Sequence, residues 1–302
     1  MFQIHIPACP IQSLIDRGGI QLDILREDFN HPLIQGNKFR KLKYNLMEAR
    51  QKGFQTLLTF GGAYSNHIHA TAAAGNAFGF KTIGIIRGEE LASKPLNITL
   101  KEAKAFGMEL EFINRTLYRQ KKELSFLENL KQRYPDAYIL PEGGTNELAV
   151  KGCEEILDER TQDYDYICLP VGTAGTISGI IKSSVDRQKI LGFPALKNAD
   201  FLKKEIENHT IRTNYDFINA YHFGGYAKFS SELIMFVNTF YQEFQIPLDT
   251  IYNGKMLFGI MGLIKKEYFP QNSRILAIHT GGLQGIRGFN ETHQDKIKVN
   301  II

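Results

Sequence analysis

Short apolar runs rich in β-branched residues alternate along most of the chain with segments of helical periodicity. The predicted strands are residues 55–60, 82–86, 109–113, 137–140, 166–170, 217–220 and 275–279. The predicted helices are residues 39–52, 65–78, 97–106, 121–134, 145–157, 230–244 and 255–265. Strands that alternate with helices of this length indicate an α/β fold, in which helices flank parallel sheets.

Glycines and small polar side chains follow several predicted strands, at the sheet edge where such folds bind ligands. The segment 172–179 reads GTAGTISG and leads into an apolar helix. Its small residues leave backbone N–H groups free to converge at a helix start, which is how proteins hold phosphate. It lacks both the Walker ending and the glycine spacing of dinucleotide-binding loops. A compact monophosphate ligand is therefore predicted, with a plain tight turn as the alternative.

Ser65 and Asn66 stand at the start of an alanine-rich helix, after the glycine pair of segment 61–67. They suit simple N-capping, and they also suit a helix end that receives a carboxylate or a ring oxygen. His67 and His69 have no third ligand at a suitable spacing, so no metal site is predicted. Similar glycine pairs mark segments 141–146 and 280–282.

The segment 36–42, GNKFRKL, places Lys38 behind a glycine and an amide and adds further cations within three residues. This arrangement suits covalent attachment of an aldehyde cofactor to Lys38, with Lys41 helping to hold its phosphate. A basic helix start on the surface is the alternative. Tyr226 and Tyr252 also adjoin glycine-marked segments, where packing and ligand contact are both open.

The composition, 43% hydrophobic and 23% charged, is that of an ordinary soluble globular protein. At 302 residues, one core usually becomes two domains or two lobes. A net charge of +4 suits a small anionic ligand and gives no sign of a nucleic-acid partner. The scattered cysteines and the absence of a long apolar run predict a cytoplasmic protein outside the membrane. The charge-rich segment 187–213 matches no motif and is expected at a surface or interface.

Together these motifs resemble one enzyme family along nearly the whole chain. They are Gly36-Asn37-Lys38-x-Arg40-Lys41-Leu42, Ser65-Asn66-His67, Pro141-x-Gly-Gly-Thr145, Gly172-Thr-Ala-Gly-Thr176, Tyr226, Tyr252-x-Gly-Lys255 and His279-Thr-Gly-Gly282. The family is that of D-cysteine desulfhydrase and 1-aminocyclopropane-1-carboxylate (ACC) deaminase, pyridoxal-phosphate enzymes of the tryptophan-synthase-β-like fold type II. The resemblance implies a two-lobed homodimer with the cofactor in the cleft. Residues 1–41 and 155–302 would form the larger lobe, and residues 42–154 the smaller one.

The resemblance also assigns the cofactor contacts. Lys38 would carry pyridoxal phosphate covalently, and Asn66 would bind its ring hydroxyl. Lys41 and the loop after the strand at 166–170 would hold the phosphate. The loop residues are Gly172, Thr173, Ala174, Gly175 and Thr176.

On the substrate side, the resemblance implies that Ser65 contacts the carboxylate and relays a proton, while Tyr226 and Tyr252 flank the substrate. ACC deaminases carry a glutamate directly after the second tyrosine, against the pyridine nitrogen, and this chain has Asn253 there. Desulfhydrases present a threonine hydroxyl instead, and Thr280 stands at the matching place. A carboxylate keeps the pyridine protonated and the ring a strong electron sink, whereas a neutral hydroxyl is expected not to.

Elimination at the β-carbon suffices with a weaker electron sink than cyclopropane opening, because the electrons depart with the leaving group. The expected activity is therefore that of a deaminating lyase that converts D-cysteine or a similar β-substituted amino acid into a 2-oxo acid and ammonia. ACC deamination is the second candidate, and serine dehydration and racemisation share the first steps. A non-catalytic protein that binds a phosphorylated metabolite, with Lys38 as counter-ion, is the alternative from another class.

Overall fold

The computed structural model describes residues 2–299. The strands are β1 (Ile11–Arg17), β2 (Ile20–Leu25), β3 (Thr56–Gly61), β4 (Lys81–Arg87), β5 (Met108–Ile113), β6 (Ala137–Ile139), β7 (Tyr166–Val171), β8 (Lys189–Pro194), β9 (Tyr215–Phe217) and β10 (Ser273–Ile278). The helices are α1 (Asn37–Gln51), α2 (Asn66–Phe78), α3 (Ile98–Ala105), α4 (Arg115–Arg119), α5 (Leu124–Arg133), α6 (Glu147–Glu154), α7 (Ala174–Ser183), α8 (Phe201–Glu207), α9 (Ser231–Phe244), α10 (Asn253–Lys265) and α11 (Gln284–His293).

The larger sheet has six strands in the order β1-β2-β10-β7-β8-β9. β1 and β2 form an antiparallel hairpin, and all other neighbours run parallel. Ile275 in β10 is in register with Leu22 on one side and Tyr166 on the other. Parallel strands end at the same sheet edge, so the segments that follow Val171 and Ile278 emerge side by side.

Both faces of this sheet are covered. Along β10, Ile275 and Ala277 belong to one buried cluster, while Leu276 and Ile278 belong to another. Alternate side chains point to opposite faces of a strand, so this division places a hydrophobic layer on each side.

The smaller sheet has four parallel strands in the order β5-β4-β3-β6. Its strands come from residues 56–139, whereas those of the larger sheet come from residues 11–25 and 166–278. Two sheets of mostly parallel strands, flanked by helices, confirm the predicted α/β class. The lobe boundaries at 41/42 and 154/155 stay a prediction, and residues 1 and 300–302 of that prediction lie outside the described residues.

The helices within residues 2–299 have at most 15 residues. α1 has 15 residues and α9 has 14. A bilayer-spanning helix takes about 20 mostly apolar residues. Within residues 2–299, no helix combines the length and the apolar character that a membrane crossing demands.

Most predicted elements are confirmed to within three residues at each end. The predicted strand 217–220 is wrong over most of its length. β9 ends at Phe217, and a 3-10 turn covers Asn219–Tyr221. The sequence is apolar there, which is why a strand was predicted. These residues form a turn that packs against β8 and α10 and does not extend the sheet.

The prediction missed the β1–β2 hairpin, β8, and helices α4, α8 and α11. Gly18 and Gly19 form the hairpin turn with φ of 64° and 73°, and a glycine pair is a known signal for a two-residue hairpin. β8 lies inside the segment 187–213, and the expectation of a surface or interface position is wrong for it. Ile190 and Leu191 are fully buried, and the charged residues that flank the strand obscured its apolar pattern.

Close packing of α6 on α1 gives a stability prediction. A Cβ at Gly152 would lie 1.9 Å from the carbonyl oxygen of Arg40. Gly152→Ala should therefore destabilise the protein by about 1–3 kcal/mol or more, measured by urea unfolding. Gly285→Ala is the matched control in α11, because its nearest neighbour would lie at an ordinary 3.5 Å. Equal unfolding midpoints for the two variants would contradict this account of the packing.

Candidate active site

α1 begins where the chain passes the end of β10. Gly36 has a φ of 65°, and a Cβ there would lie only 1.9 Å from the carbonyl oxygen of Thr280. Asn37 N donates to the same oxygen at 3.2 Å. Only glycine allows both this conformation and this approach, so the first turn of α1, which carries Lys38, is fixed against the end of the larger sheet.

The side chain of Lys38 lies partly buried at the centre of these strand ends. Its Nζ donates to the carbonyl oxygen of Gly143 at 3.2 Å. Burial, and next the charge of Lys41, hold the pKa of Lys38 well below its usual range. A lowered pKa favours the neutral form of the amine, which is the form a nucleophilic lysine uses.

Lys41, one turn further along α1, is almost fully buried among polar groups. Its Nζ donates at 3.0 Å each to Gly143 O, Thr145 Oγ1 and Thr173 Oγ1. The two hydroxyls lie 2.9 Å apart. The structure thus gathers one ammonium group and two hydroxyls at one point, although they come from three separate parts of the chain.

The start of α7 completes this cluster. Its N-cap residue Thr173 makes no side-chain capping hydrogen bond, so the first N–H groups of the helix have no capping acceptor there. A Cβ on Gly175 would lie 3.1 Å from Lys41 Nζ, and Asn37 Nδ2 donates to Thr176 Oγ1 at 2.8 Å. An ammonium group, several hydroxyls and an uncapped helix N-terminus suit a phosphate group. The donor set therefore fits the phosphate of pyridoxal phosphate.

The burial of Lys41 predicts a pH dependence of stability in the cofactor-free protein. Its pKa is lowered from 10.5 to about 8, mainly by burial. The unfolded chain binds this proton more tightly, so stability is lost as pH falls through the window from 10.5 to about 8. Within that window each pH unit should change the unfolding free energy by about 1.4 kcal/mol from this group alone. Urea unfolding across this range should show a flatter slope for Lys41→Met, and an equal slope in both proteins would contradict the prediction.

The start of α2 faces the same cleft. Ser65 Oγ accepts hydrogen bonds from His67 N at 3.2 Å and Ile68 N at 3.3 Å, which confirms the predicted cap. Asn66 lies against the end of β10, because a Cβ on Gly282 would meet its Nδ2 at 2.5 Å. Among the hydrogen bonds of residues 2–299, none uses the Asn66 side chain, which leaves its amide available to a ligand.

Tyr226 and Tyr252 form a pair at the mouth of the cleft. Their ring centroids are 6.3 Å apart with an edge-to-face angle of 66°. Tyr252 covers the segment 172–176, since a Cβ on Gly172 would lie 2.9 Å from its ring. Burial holds the pKa of Tyr252 well above its usual range, so its hydroxyl stays protonated. Tyr226 is 47% exposed and can meet an entering molecule.

Thr280 closes the cleft from the end of β10 and is 7% exposed. Its backbone N–H donates to Asn253 Oδ1 at 2.9 Å. All residues predicted for the site therefore gather around the starts of α1, α2 and α7 and the end of β10. Within residues 2–299, no group of three or more His, Cys, Asp or Glu side chains is placed to hold a metal ion.

Three groups that shape the site received no role from the sequence, although Gly143 and Thr145 lie in a motif that carries the resemblance. Gly143 offers its carbonyl to both site lysines, Thr145 binds Lys41, and the buried carboxylate of Asp249 caps α10 beside Tyr252. The signal for Thr145 was visible, because it is a hydroxyl directly after a glycine pair at a strand end. Asp249 carried no motif and is recognised only through its contacts.

Comparison with known proteins agrees with this site. The family described as "Pyridoxal-phosphate dependent enzyme" matches residues 5–281. The bifunctional D-cysteine desulfhydrase/ACC deaminase of Arabidopsis thaliana mitochondria is 30% identical over 297 residues, covering 89% of this chain and 74% of that protein. D-cysteine desulfhydrase of Klebsiella pneumoniae is 24% identical over 305 residues, covering 93% of this chain and 92% of that protein.

A solved structure gives the same answer for the fold. The crystal structure of an ACC deaminase homologue superimposes with a TM-score of 0.83 at 26% identity, covering 97% of this chain and 95% of the other. It confirms the predicted fold type, with the two sheets described above. A family match over most of the length, with a relative that is 30% identical, places this chain in the pyridoxal-phosphate dependent enzyme family, with the D-cysteine desulfhydrases and ACC deaminases.

Proposed function

We propose that this enzyme is a deaminating lyase for small β-substituted amino acids, with D-cysteine as the leading substrate. One observation carries the proposal: the amine of Lys38, its pKa lowered by burial, lies beside the ammonium and hydroxyl cluster around Lys41. Both Nζ atoms donate to Gly143 O, so an attachment point and a phosphate site would lie side by side, which suits a compact phosphorylated aldehyde. The relatives named D-cysteine desulfhydrase support the choice of substrate.

Several groups of this chain would hold the cofactor without a covalent bond. Lys41, Thr145, Thr173 and the start of α7 would bind the phosphate, and Asn66 would bind the ring hydroxyl. When bound, pyridoxal phosphate supplies an aldehyde for the substrate amine and a ring that accepts electrons from the α-carbon. Lys38 would hold the cofactor until the substrate amine takes its place, and its neutral Nζ would then accept the α-proton.

The remaining residues would orient the amino acid and exclude water. The start of α2, with Ser65, offers hydroxyl and N–H donors to the substrate carboxylate. Tyr226 and Tyr252 would enclose the β-substituent from the mouth of the cleft. The raised pKa of Tyr252 keeps a proton on its hydroxyl, which suits donation to a departing sulfide.

The partner of the ring nitrogen favours elimination over ring opening. Thr280 would face this nitrogen, and Asn253 occupies the place where a direct carboxylate would stand. In elimination, the sulfide carries away the electron pair released by α-proton removal. D-cysteine and water would thus yield pyruvate, ammonia and hydrogen sulfide, with atoms and charge balanced. ACC stays the second candidate substrate because the names of several relatives contain ACC deaminase.

A parallel assay of amino acids tests this proposal. The purified enzyme, supplied with pyridoxal phosphate, would be given D-cysteine, L-cysteine, D-serine and ACC in separate reactions. We expect sulfide and pyruvate in equal amounts from D-cysteine, with slower 2-oxobutanoate formation from ACC. Faster turnover of ACC than of D-cysteine would sink the choice of elimination, while turnover of neither would sink the proposed substrate class.

We also propose a cytoplasmic homodimer built of the two lobes predicted above. The dimer and the lobe limits are implied by the resemblance to the family. The location is supported by Cys9, Cys153 and Cys168, which are all unpaired and buried, as in proteins of reducing compartments. Light scattering on the purified protein would test the dimer, and a monomer mass at working concentration would refute it.

A further inference from the structure

The side chain of Asn253 is fixed by hydrogen bonds at both its amide nitrogen and its amide oxygen. It is fully buried at the start of α10, directly after Tyr252. Its Nδ2 donates to Asp249 Oδ1 and to Gly281 O, each at 2.9 Å. Its Oδ1 accepts the backbone N–H of Thr280 at 2.9 Å. The amide therefore has one orientation, because turning it over would set its NH2 group against that N–H.

This amide orients the hydroxyl of Thr280. Oγ1 lies 3.3 Å from Asn253 Oδ1, and an amide oxygen can only accept, so the hydroxyl donates its hydrogen there. The hydrogen bonds within residues 2–299 give Thr280 Oγ1 no other acceptor. What this oxygen still offers to a ligand is its lone pairs.

The carboxylate of Asp249 reinforces that orientation. It is 4% exposed and accepts the backbone N–H groups of Ile251, Tyr252 and Asn253 at 2.9, 2.8 and 2.9 Å. In a buried chain of hydrogen bonds, each group polarises the next. A carboxylate that binds the amide N–H group makes the amide oxygen a stronger acceptor, which in turn makes the Thr280 oxygen more negative.

We propose that Asp249 and Asn253 are positioning residues, which make Thr280 accept rather than donate a hydrogen bond at the ring nitrogen of pyridoxal phosphate. The inference rests on the proposed placement of Thr280 at that nitrogen. A hydroxyl that can only accept favours the protonated nitrogen, whereas a freely turning hydroxyl can donate to the unprotonated one. The ring would then withdraw more electrons than a threonine partner alone implies, while elimination, which suffices with a weaker electron sink, stays the proposed reaction.

The test is the nitrogen-15 resonance of enzyme loaded with ring-labelled pyridoxal phosphate. The wild type should show a protonated ring nitrogen. Asn253→Leu removes the amide at similar volume and should move the resonance toward the unprotonated form, because the Thr280 hydroxyl is then free to donate. Asp249→Asn keeps the shape without the charge and should produce a smaller shift in the same direction. If Asn253→Leu does not fold, Asp249→Asn alone tests the proposal.

A matched control separates this effect from the loss of any buried amide. Gln188 is 2% exposed, and its side chain binds Thr161 O at 2.7 Å and Tyr164 O at 3.1 Å, away from the cleft. Gln188→Met should leave the resonance at its wild-type position. A shift as large as that of Asn253→Leu would overturn the proposal, because it would mark a general effect of lost packing.

Two further outcomes would overturn the relay. One is an unprotonated ring nitrogen in the wild type, and the other is a wild-type resonance in both Asn253→Leu and Asp249→Asn. Thr280→Val tells the relay apart from the placement on which it rests. If only this variant moves the resonance, Thr280 faces the nitrogen and the relay is wrong. If even this variant leaves it unchanged, the proposed placement of Thr280 is wrong.

Discussion

Lys38→Ala should abolish turnover and remove the visible absorbance band of the lysine-bound cofactor. Its Nζ is the amine that lies against Gly143 with a pKa held well below the usual range. The variant loses both the covalent attachment and the base for the α-proton, so turnover should fall by at least about 10²- to 10⁴-fold. Absorbance spectra and sulfide release from D-cysteine would measure the two losses separately.

Lys255→Ala is the control for this prediction. Lys255 is also buried, and its pKa is lowered to about 8. Its Nζ donates to His222 O and Gly225 O, outside the cluster of Lys41, Thr145 and Thr173. This variant should keep the visible band. A band that survives in Lys38→Ala and disappears in Lys255→Ala would show that the cofactor is attached to Lys255, which would overturn the account.

Lys41→Met should weaken the binding of pyridoxal phosphate by roughly 10- to 150-fold, the equivalent of losing a charged hydrogen bond. The side chain keeps its length but no longer offers an ammonium group to the phosphate. Titration of cofactor-free protein, followed by absorbance, would give the dissociation constant. The same variant should bind pyridoxal without phosphate about as well as the wild type does, because the phosphate is the group it fails to hold.

Lys43→Met serves as the matched variant for Lys41. Lys43 lies half a turn away on α1 and pairs with Glu155 at 2.6 Å, on the side away from the cluster around Lys41. Its loss should leave cofactor affinity within about twofold, since partly exposed ion pairs contribute little. Similar losses of affinity in both variants would show that the general charge of α1 matters, and not the cluster around Lys41.

The sequence carried the fold class and most of the site because glycine pairs and hydroxyls recur at the ends of parallel strands. Ser65 and Thr280 stand at such ends, and Lys38 lies in the first turn of the helix that passes the end of β10. The hairpin β1–β2 was missed despite its Gly18–Gly19 turn, because polar and charged residues interrupt the apolar positions of both strands. β8 was missed because the charges on both sides mask a short buried run.

Other properties of the site arise only from contacts between distant residues. Lys41 meets Thr145 and Thr173, which lie more than a hundred positions further along the chain. The lowered pKa of Lys38 follows mainly from burial, which the local sequence does not show, whereas the charge of Lys41 beside it is visible there. Likewise, the direction of the Thr280 hydroxyl is set by Asn253, which is 27 positions away.

The most direct test of the central claim is reduction of the loaded enzyme with borohydride, followed by peptide mapping. Reduction makes the link between lysine and cofactor permanent, so the modified peptide identifies the attachment point. The account predicts a phosphopyridoxyl group on Lys38 alone. Modification of Lys41 or Lys255 in its place, or no modified peptide from enzyme saturated with pyridoxal phosphate, would contradict it.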